Sequence, residues 1–249
     1  MRPALLPIRS AILPRLLAVL AGIAVAWAVS APTVGAAEGR SARARARAEK
    51  EIDRLAVHLE ALQADPARRV PSEILREARG VVVLRETRAG LILAGREGEG
   101  LALVRGTNGW GSPAFVKARE GGIGLQAGWQ SATVVQVLMT DAAVAALRTN
   151  RFRFGVGLRI TSGPRTLGDE AKTKSVGSDI LVYTDSGGLY GGVAVEGGSL
   201  SPEERANRDL YGLPFDAVLF EHRPAPSGAA RRWVDLIERE SRAAANPGG

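Results

Sequence analysis

The side chains best suited to chemistry in this sequence are cations set beside glycine. Lys117 and Arg119 precede Gly121-Gly122, Arg153 and Arg159 alternate with Gly155 and Gly157, and Arg165, Lys172 and Lys174 fall in the irregular stretch Ser162–Val176. Lysine and arginine make charge-assisted hydrogen bonds to phosphate, and backbone N–H groups exposed beside glycine assist them. The seven residues are therefore candidates for a phosphate-binding surface. Against this stands a plainer reading, in which the cations are solvated and the glycines let segments of the same chain pack closely.

Catalytic patterns are missing. The two histidines, His58 and His222, lie far apart and outside any H-E-x-x-H pattern, and with no cysteine a zinc site lacks ligands. Ser112, Ser162, Ser178 and Ser186 lie near glycines, but none sits in a G-x-S-x-G elbow. Neither glycine run, Gly95–Gly100 or Gly121–Gly128, matches G-x-G-x-x-G between a strand and a helix, and no phosphate-binding P-loop occurs. Asp179, Asp185 and Glu196 could pair as glycosidase carboxylates do, but turn and rim positions account for them. The expectation is a protein that is not an enzyme and uses no metal or cofactor.

The chain has 249 residues and a formal charge of +7. Arg2, Arg9 and Arg15, the apolar run Leu16–Val29 and the small residues up to Ala37 follow the order of a secretory signal. An uncleaved anchor is the alternative, although the run is short for a membrane span. Cleavage after Ala36 or Ala37 would lower the charge to +4, and the expected location is periplasmic or secreted. Aromatics at 5% are too few for a stacking surface, so nucleic acid is not an expected partner. The expected divisions are a signal over 1–37, a basic arm and amphipathic helix over 38–64, a binding domain over 65–223, and a helix with tail over 224–249.

The elements that must position the cations come from periodicity. Ile52, Leu55, Leu59 and Leu62 form one stripe of a helix over Ser41–Ala64. Arg40, Arg43, Arg45 and Arg47 precede it and read either as a solvated helix start or as a membrane-surface arm. Ser72–Arg79 is a short helix closed by Gly80, and Val81–Leu84 is a buried strand. Gly90–Ala94 and Leu101–Arg105 are strands joined by a turn at Gly95–Gly100, Asn108-Gly109 makes another turn, and Ala114–Ala118 turns at Glu120-Gly121-Gly122. Ile123–Gln130 and Phe152–Ile160 alternate apolar residues with glycine or polar ones, as strands do. Thr133–Met139 is a buried strand, Asp141–Arg148 a helix capped by Thr140 or Asp141, and Asp179–Asp185 pairs with Gly188–Val195. Ser201-Pro202-Glu203-Glu204 is a capping box opening a helix to Tyr211, Phe215–Phe220 a last strand, and Ala229–Ala244 a helix. Repeated strand glycines imply curvature, so the expected fold is α+β, with a mostly antiparallel curved sheet or partly closed barrel or sandwich and peripheral helices.

Laid out in this order, the landmarks are Ala89–Gly95, Gly98-Glu99-Gly100, Gly109-Trp110 with Pro113 and Phe115, Gly122–Gly128, Gly187–Val193 with Glu196-Gly197, Asn207 and Tyr211-Gly212. Together they resemble the SYLF family, also called the Ysc84 actin-binding domain family, over Leu75–Gly212. The resemblance implies a bacterial secreted member and a lipid-binding module. Eukaryotic relatives bind phosphoinositides and some bind actin. With an export signal, anionic phospholipid at a membrane surface is the expected partner and actin is set aside. A structural or protein-interaction module of the cell envelope is the alternative.

Overall fold

The computed structural model describes residues 34–90, 93–123, 128–149, 152–153, 158–162, 177–185 and 199–242. Backbone contacts divide the chain into Met1–Ala42 and Arg43–Gly249. Within the first unit the described residues are helical and open helix α1 (Val34–Ala64); the fold below is that of the second. It contains α2 (Ser72–Glu77), β1 (Gly80–Gly90), β2 (Leu93–Gly106), β3 (Gly109–Trp110), β4 (Ala114–Ile123) and β5 (Gly128–Leu138). Then come α3 (Asp141–Ala146), β6 (Phe152–Arg153), β7 (Ile160–Ser162), β8 (Ile180–Thr184), β9 (Ser199–Pro202), α4 (Glu204–Tyr211), α5 (Phe215–Leu219) and α6 (Gly228–Arg242).

The strands form one sheet in the order β6-β9-β4-β2-β1-β5-β8-β7, with β3 paired to β2. All pairs are antiparallel except β7 with β8. Chain length forces this sheet to curl. Arg153 in β6 and Ile160 in β7 lie at opposite edges, yet seven residues of chain span about 25 Å at most. A flat sheet of eight strands at about 4.8 Å spacing would be roughly 34 Å wide. The result is α+β, with a strongly curled, open sheet.

The sheet is covered on both faces. Alternation sends Val81, Val83, Leu101, Leu103, Val135 and Val137 to one face, against α1 and α6. Val82, Leu84, Ala102, Val116, Val134 and Val182 go to the other, against α3 and α5. That is why Val81–Leu84 reads as an unbroken apolar run. In α1 the predicted stripe is realised: Ile52, Leu55, Leu59 and Leu62 are all buried. Each contributes about 1.5–3 kcal/mol by leaving water. Asp65 ends α1 by accepting from the Ala67 N–H at 2.9 Å, and Gln63 exchanges both side-chain hydrogen bonds with the Val70 backbone.

Helix α6 lies alongside α1 and runs in the same direction. Arg232 meets Asp53 and Arg239 meets Glu60, both at a separation of 179 residues, and the start of α6 at Gly228 lies beside Glu49. Trp233, Val234, Leu236 and Ile237 enter the same core as the α1 stripe.

Several sequence expectations are corrected. Gly95–Gly100 is not a turn, because β2 passes straight through it and the β1–β2 connection falls after Gly90. Gly121 and Gly122 pair with Gly95 and Ala94 inside β4. Ile123–Gln130 does not form one strand: Ile123 ends β4, and Gly128 opens β5 on the far side of the β2–β1 pair. Phe152–Ile160 is divided between the two edges of the sheet. Alternation reports a pleat but cannot say whether the chain crosses to another strand midway. Ser201 and Pro202 end β9, and α4 opens at Glu204 with no side-chain cap. Phe215–Leu219 is helical, with Phe215, Val218 and Leu219 buried at helical spacing. Gly188–Val195 lies outside the described residues.

Candidate functional site

Beyond its apolar rows, the face of the sheet under α1 becomes polar, and strand register lines the polar residues up. One row runs Lys117, Glu99, Arg85, Thr133 across β4, β2, β1 and β5, and the next runs Arg119, Glu97, Thr87, Ser131. Opposite charges stand side by side, and they pair. The Lys117 Nζ lies 2.8 Å from Glu203 Oε2, and Arg119 Nε lies 3.6 Å from Glu97 Oε1. Arg85 donates to Thr133 Oγ1 at 3.2 Å and lies 3.4 Å from Asp185, whose other oxygen accepts from the Thr133 N–H. Each exposed pair contributes about 0–1 kcal/mol, so the rows set register and neutralise charge more than they stabilise.

Four of the seven candidates lie among the described residues: Lys117, Arg119, Arg153 and Arg159. Lys117 and Arg119 share a strand but face carboxylates. Arg153 pairs with Ser199, which itself pairs with Arg119, so these two sit on neighbouring register positions. Arg159 belongs to the opposite edge. There its backbone N–H donates to Asp179 Oδ2 at 2.8 Å, and its guanidinium lies against Gly177, whose φ is +81°. Backbone and Thr140 hydrogen bonds to the Asp179 carboxylate hold its pKa below the usual value. Arg165, Lys172 and Lys174 lie outside the described residues.

The glycine-bearing side of β2 is an interior seam. Gly98 and Gly100 are buried. A Cβ on Gly98 would lie 3.0 Å from Glu86 Cγ and 3.3 Å from Ala118 Cβ, and one on Gly100 would collide with the Val83 carbonyl. These two glycines, expected in a turn, let β1, β2 and β4 approach. Gly155, Gly157 and Gly187–Gly198 lie outside the described residues.

One stripe of cations on α1 has no acidic partner among the described residues. Arg43, Arg47 and Lys50 are exposed and spaced by four and three, which places them on one side of the helix. The acids within reach are engaged elsewhere. Glu51, four residues after Arg47, receives Arg54 at 2.6 and 2.9 Å, and that hydrogen bond raises the Arg54 pKa. Asp53, three residues after Lys50, is held by Arg232 at 2.8 Å through both oxygens. Arg45 projects from another side and pairs with Glu49. Sequence reading places Arg43 and Arg47 in a basic arm but passes over Lys50. The i, i+4, i+7 spacing is the available signal; Arg54 of the same helix takes Glu51, and Arg232, brought in by α6, takes Asp53, which leaves the stripe uncompensated.

Other polar groups serve the fold. Arg105 donates to the carbonyls of Leu75 and Arg76 and lies 4.5 Å over the Trp110 ring; burial, then Arg79, lowers its pKa. The His222 ring packs against Gly106 and Gly111. A shallow apolar crevice lined by Val116, Leu147, Leu200, Ser201, Pro202 and Phe215 brings no carboxylate or histidine together. Among the described residues no group of three or more His, Asp or Glu is placed to hold a metal, and no helix is long and apolar enough to cross a membrane.

Comparison with known proteins adds a family. Residues 119–240 match the family model Ysc84, described as "Las17-binding protein actin regulator". SH3 domain-containing protein PJ696.02 of Schizosaccharomyces pombe is 34% identical over 57% of this chain and 34% of its own length. LAS seventeen-binding protein 3 of Saccharomyces cerevisiae is 28% identical over 57% of this chain and 32% of its own. The human SH3 domain-containing YSC84-like protein 1 is 28% identical over 66% of this chain and 49% of its own. The chain thus spans from about a third to about half of the length of these relatives. No solved structure matches. The family description names an actin regulator, which runs against setting actin aside.

Proposed function

We propose that this chain, a member of the Ysc84 family, is a non-enzymatic docking module that meets anionic phospholipid at a membrane surface through the exposed side of α1. The observation that carries the proposal is the uncompensated stripe Arg43, Arg47 and Lys50, set beside acids already taken by Arg54 and Arg232. Each cation near an anionic surface contributes about 1 kcal/mol, so the stripe supplies roughly 3 kcal/mol, a reversible attachment. The order of basic, apolar and small residues over 1–37 supports export, which would place the module at an envelope membrane. Co-sedimentation with vesicles is the test. Binding to anionic vesicles, its absence with neutral ones and its loss in R43E/R47E/K50E are expected. Equal binding to both vesicle types, or none, refutes the proposal.

A second reading, a protein-interaction module, is favoured by the family description and by relatives named for binding a protein. Co-sedimentation with filamentous actin, and capture of a stoichiometric envelope protein without vesicle binding, would select it.

A further inference from the structure

Resting on the reading above, we propose that the α1 face recognises the charge density of an anionic bilayer and not the structure of any one phospholipid head group. Recognition of a particular phosphate needs donors that converge: a bidentate guanidinium held in place, a concave nest of backbone N–H groups, or the open N-terminus of a helix. The stripe offers none of these. Arg43, Arg47 and Lys50 lie well inside α1, which begins at Val34, so the N–H groups beside them are consumed by intrahelical hydrogen bonds. The three side chains project from a convex surface, spread over about 10 Å of helix axis at about 1.5 Å per residue. Their guanidinium and ammonium groups are not held by any other side chain among the described residues, in contrast to Arg54, Arg85 and Arg232.

The same stretch has no means of entering the bilayer. Helices that insert at an interface carry Trp, Phe or Leu on the side opposite their cations. Between Glu38 and Lys50 every uncharged residue is alanine, glycine or serine. The large apolar residues begin at Ile52, and Ile52, Leu55, Leu59 and Leu62 are buried in the core. Val57, seven residues after Lys50, is exposed, a single valine where insertion calls for a Trp, Phe or Leu face. Contact is therefore electrostatic and superficial, with no pocket to admit one head group and reject another.

The experiment compares vesicles of phosphatidylserine, phosphatidylglycerol and a phosphoinositide, each diluted in phosphatidylcholine to the same measured zeta potential. Equal partitioning within about threefold is expected, with inositol phosphates at millimolar concentration failing to compete. Each of R43Q, R47Q and K50Q should weaken binding about fivefold at low salt, the equivalent of about 1 kcal/mol per cation. Binding should collapse as the screening length shortens. Far-ultraviolet circular dichroism should match wild type, because these side chains are exposed. A tenfold or greater preference for one lipid at matched potential, or competition by a soluble head group, overturns this inference while leaving membrane docking intact. Absence of binding to every anionic vesicle overturns the docking reading itself. Full binding by R43Q/R47Q/K50Q overturns the assignment to α1.

Discussion

The side-chain amide of Asn207 takes the place of a strand residue opposite Phe115. Its Oδ1 accepts the Phe115 N–H at 2.8 Å and its Nδ2 donates to the Phe115 carbonyl at 3.0 Å. Strand β9 pairs with β4 as far as Pro202, and the Glu203 N–H still donates to the Phe115 carbonyl. The Glu203 carbonyl does not take the Phe115 N–H. It accepts from the Asn207 N–H instead, as the chain turns into α4. Asn207, fully buried on that helix, supplies the missing acceptor.

Replacing Asn207 by Leu should strand the Phe115 N–H, since the Phe115 carbonyl keeps Glu203. One buried unsatisfied donor costs about 1–3 kcal/mol. Urea denaturation should show a lower midpoint with an unchanged slope. Asn207→Asp should do worse, because a carboxylate accepts but cannot donate, and its charge would be buried.

Gly100→Ala should be among the most damaging single changes. Its methyl group would meet the Val83 carbonyl and Leu84 in the middle of the sheet, where neither strand can move aside. Gly109→Ala provides the contrast: the space around it is open, but its φ of +103° strains any other residue. A loss of about 1–3 kcal/mol is expected there, and more at Gly100. Parallel thermal melts give the ranking.

Lys117→Gln and Arg119→Gln should leave vesicle binding unchanged within about twofold, because both cations already face carboxylates and are worth little to an outside partner. R43Q and K50Q, measured in the same assay, should weaken it. The reverse pattern would return the site to β4.

Stability should fall below about pH 6.5 through His58. Burial, then Arg85 and Arg54, lowers its pKa from the ordinary 6.5. The folded state then binds fewer protons than the unfolded chain, so this contribution is complete above 6.5 and is lost as pH falls toward the folded value. Because His58 is only partly buried, the effect is small. Denaturation midpoints from pH 7.5 to 5 should decline less steeply in H58Q than in wild type.

The Arg232–Asp53 pair is bidentate but about half exposed on both sides. A double-mutant cycle with R232A and D53A should give a coupling of about 0.2–1 kcal/mol that shrinks with salt. Breaking it should also release Asp53 toward Lys50, so R232A should weaken vesicle binding without touching the stripe.

Local physics is legible in the residues themselves. The stripe Ile52–Leu62 and the apolar face of α6 follow from helical period, and the buried run Val81–Leu84 from its composition. The left-handed cap at Gly212, with φ +68°, follows from what only glycine tolerates cheaply. Period-two segments with repeated glycines supply the class of fold. What the sequence could not specify is partnership. Gly98 and Gly100 read as part of a turn, and only the β1–β2–β4 register shows the seam. Arg153 and Arg159 share an alternating stretch, yet topology carries them to opposite edges of the sheet. Lys117 and Arg119 read as free cations until Glu203 and Glu97, distant along the chain or on another strand, neutralise them. Spacing fixes which side of an element a residue occupies. Which charges remain uncompensated is decided by residues brought together in the folded chain, as Arg232 is brought to Asp53.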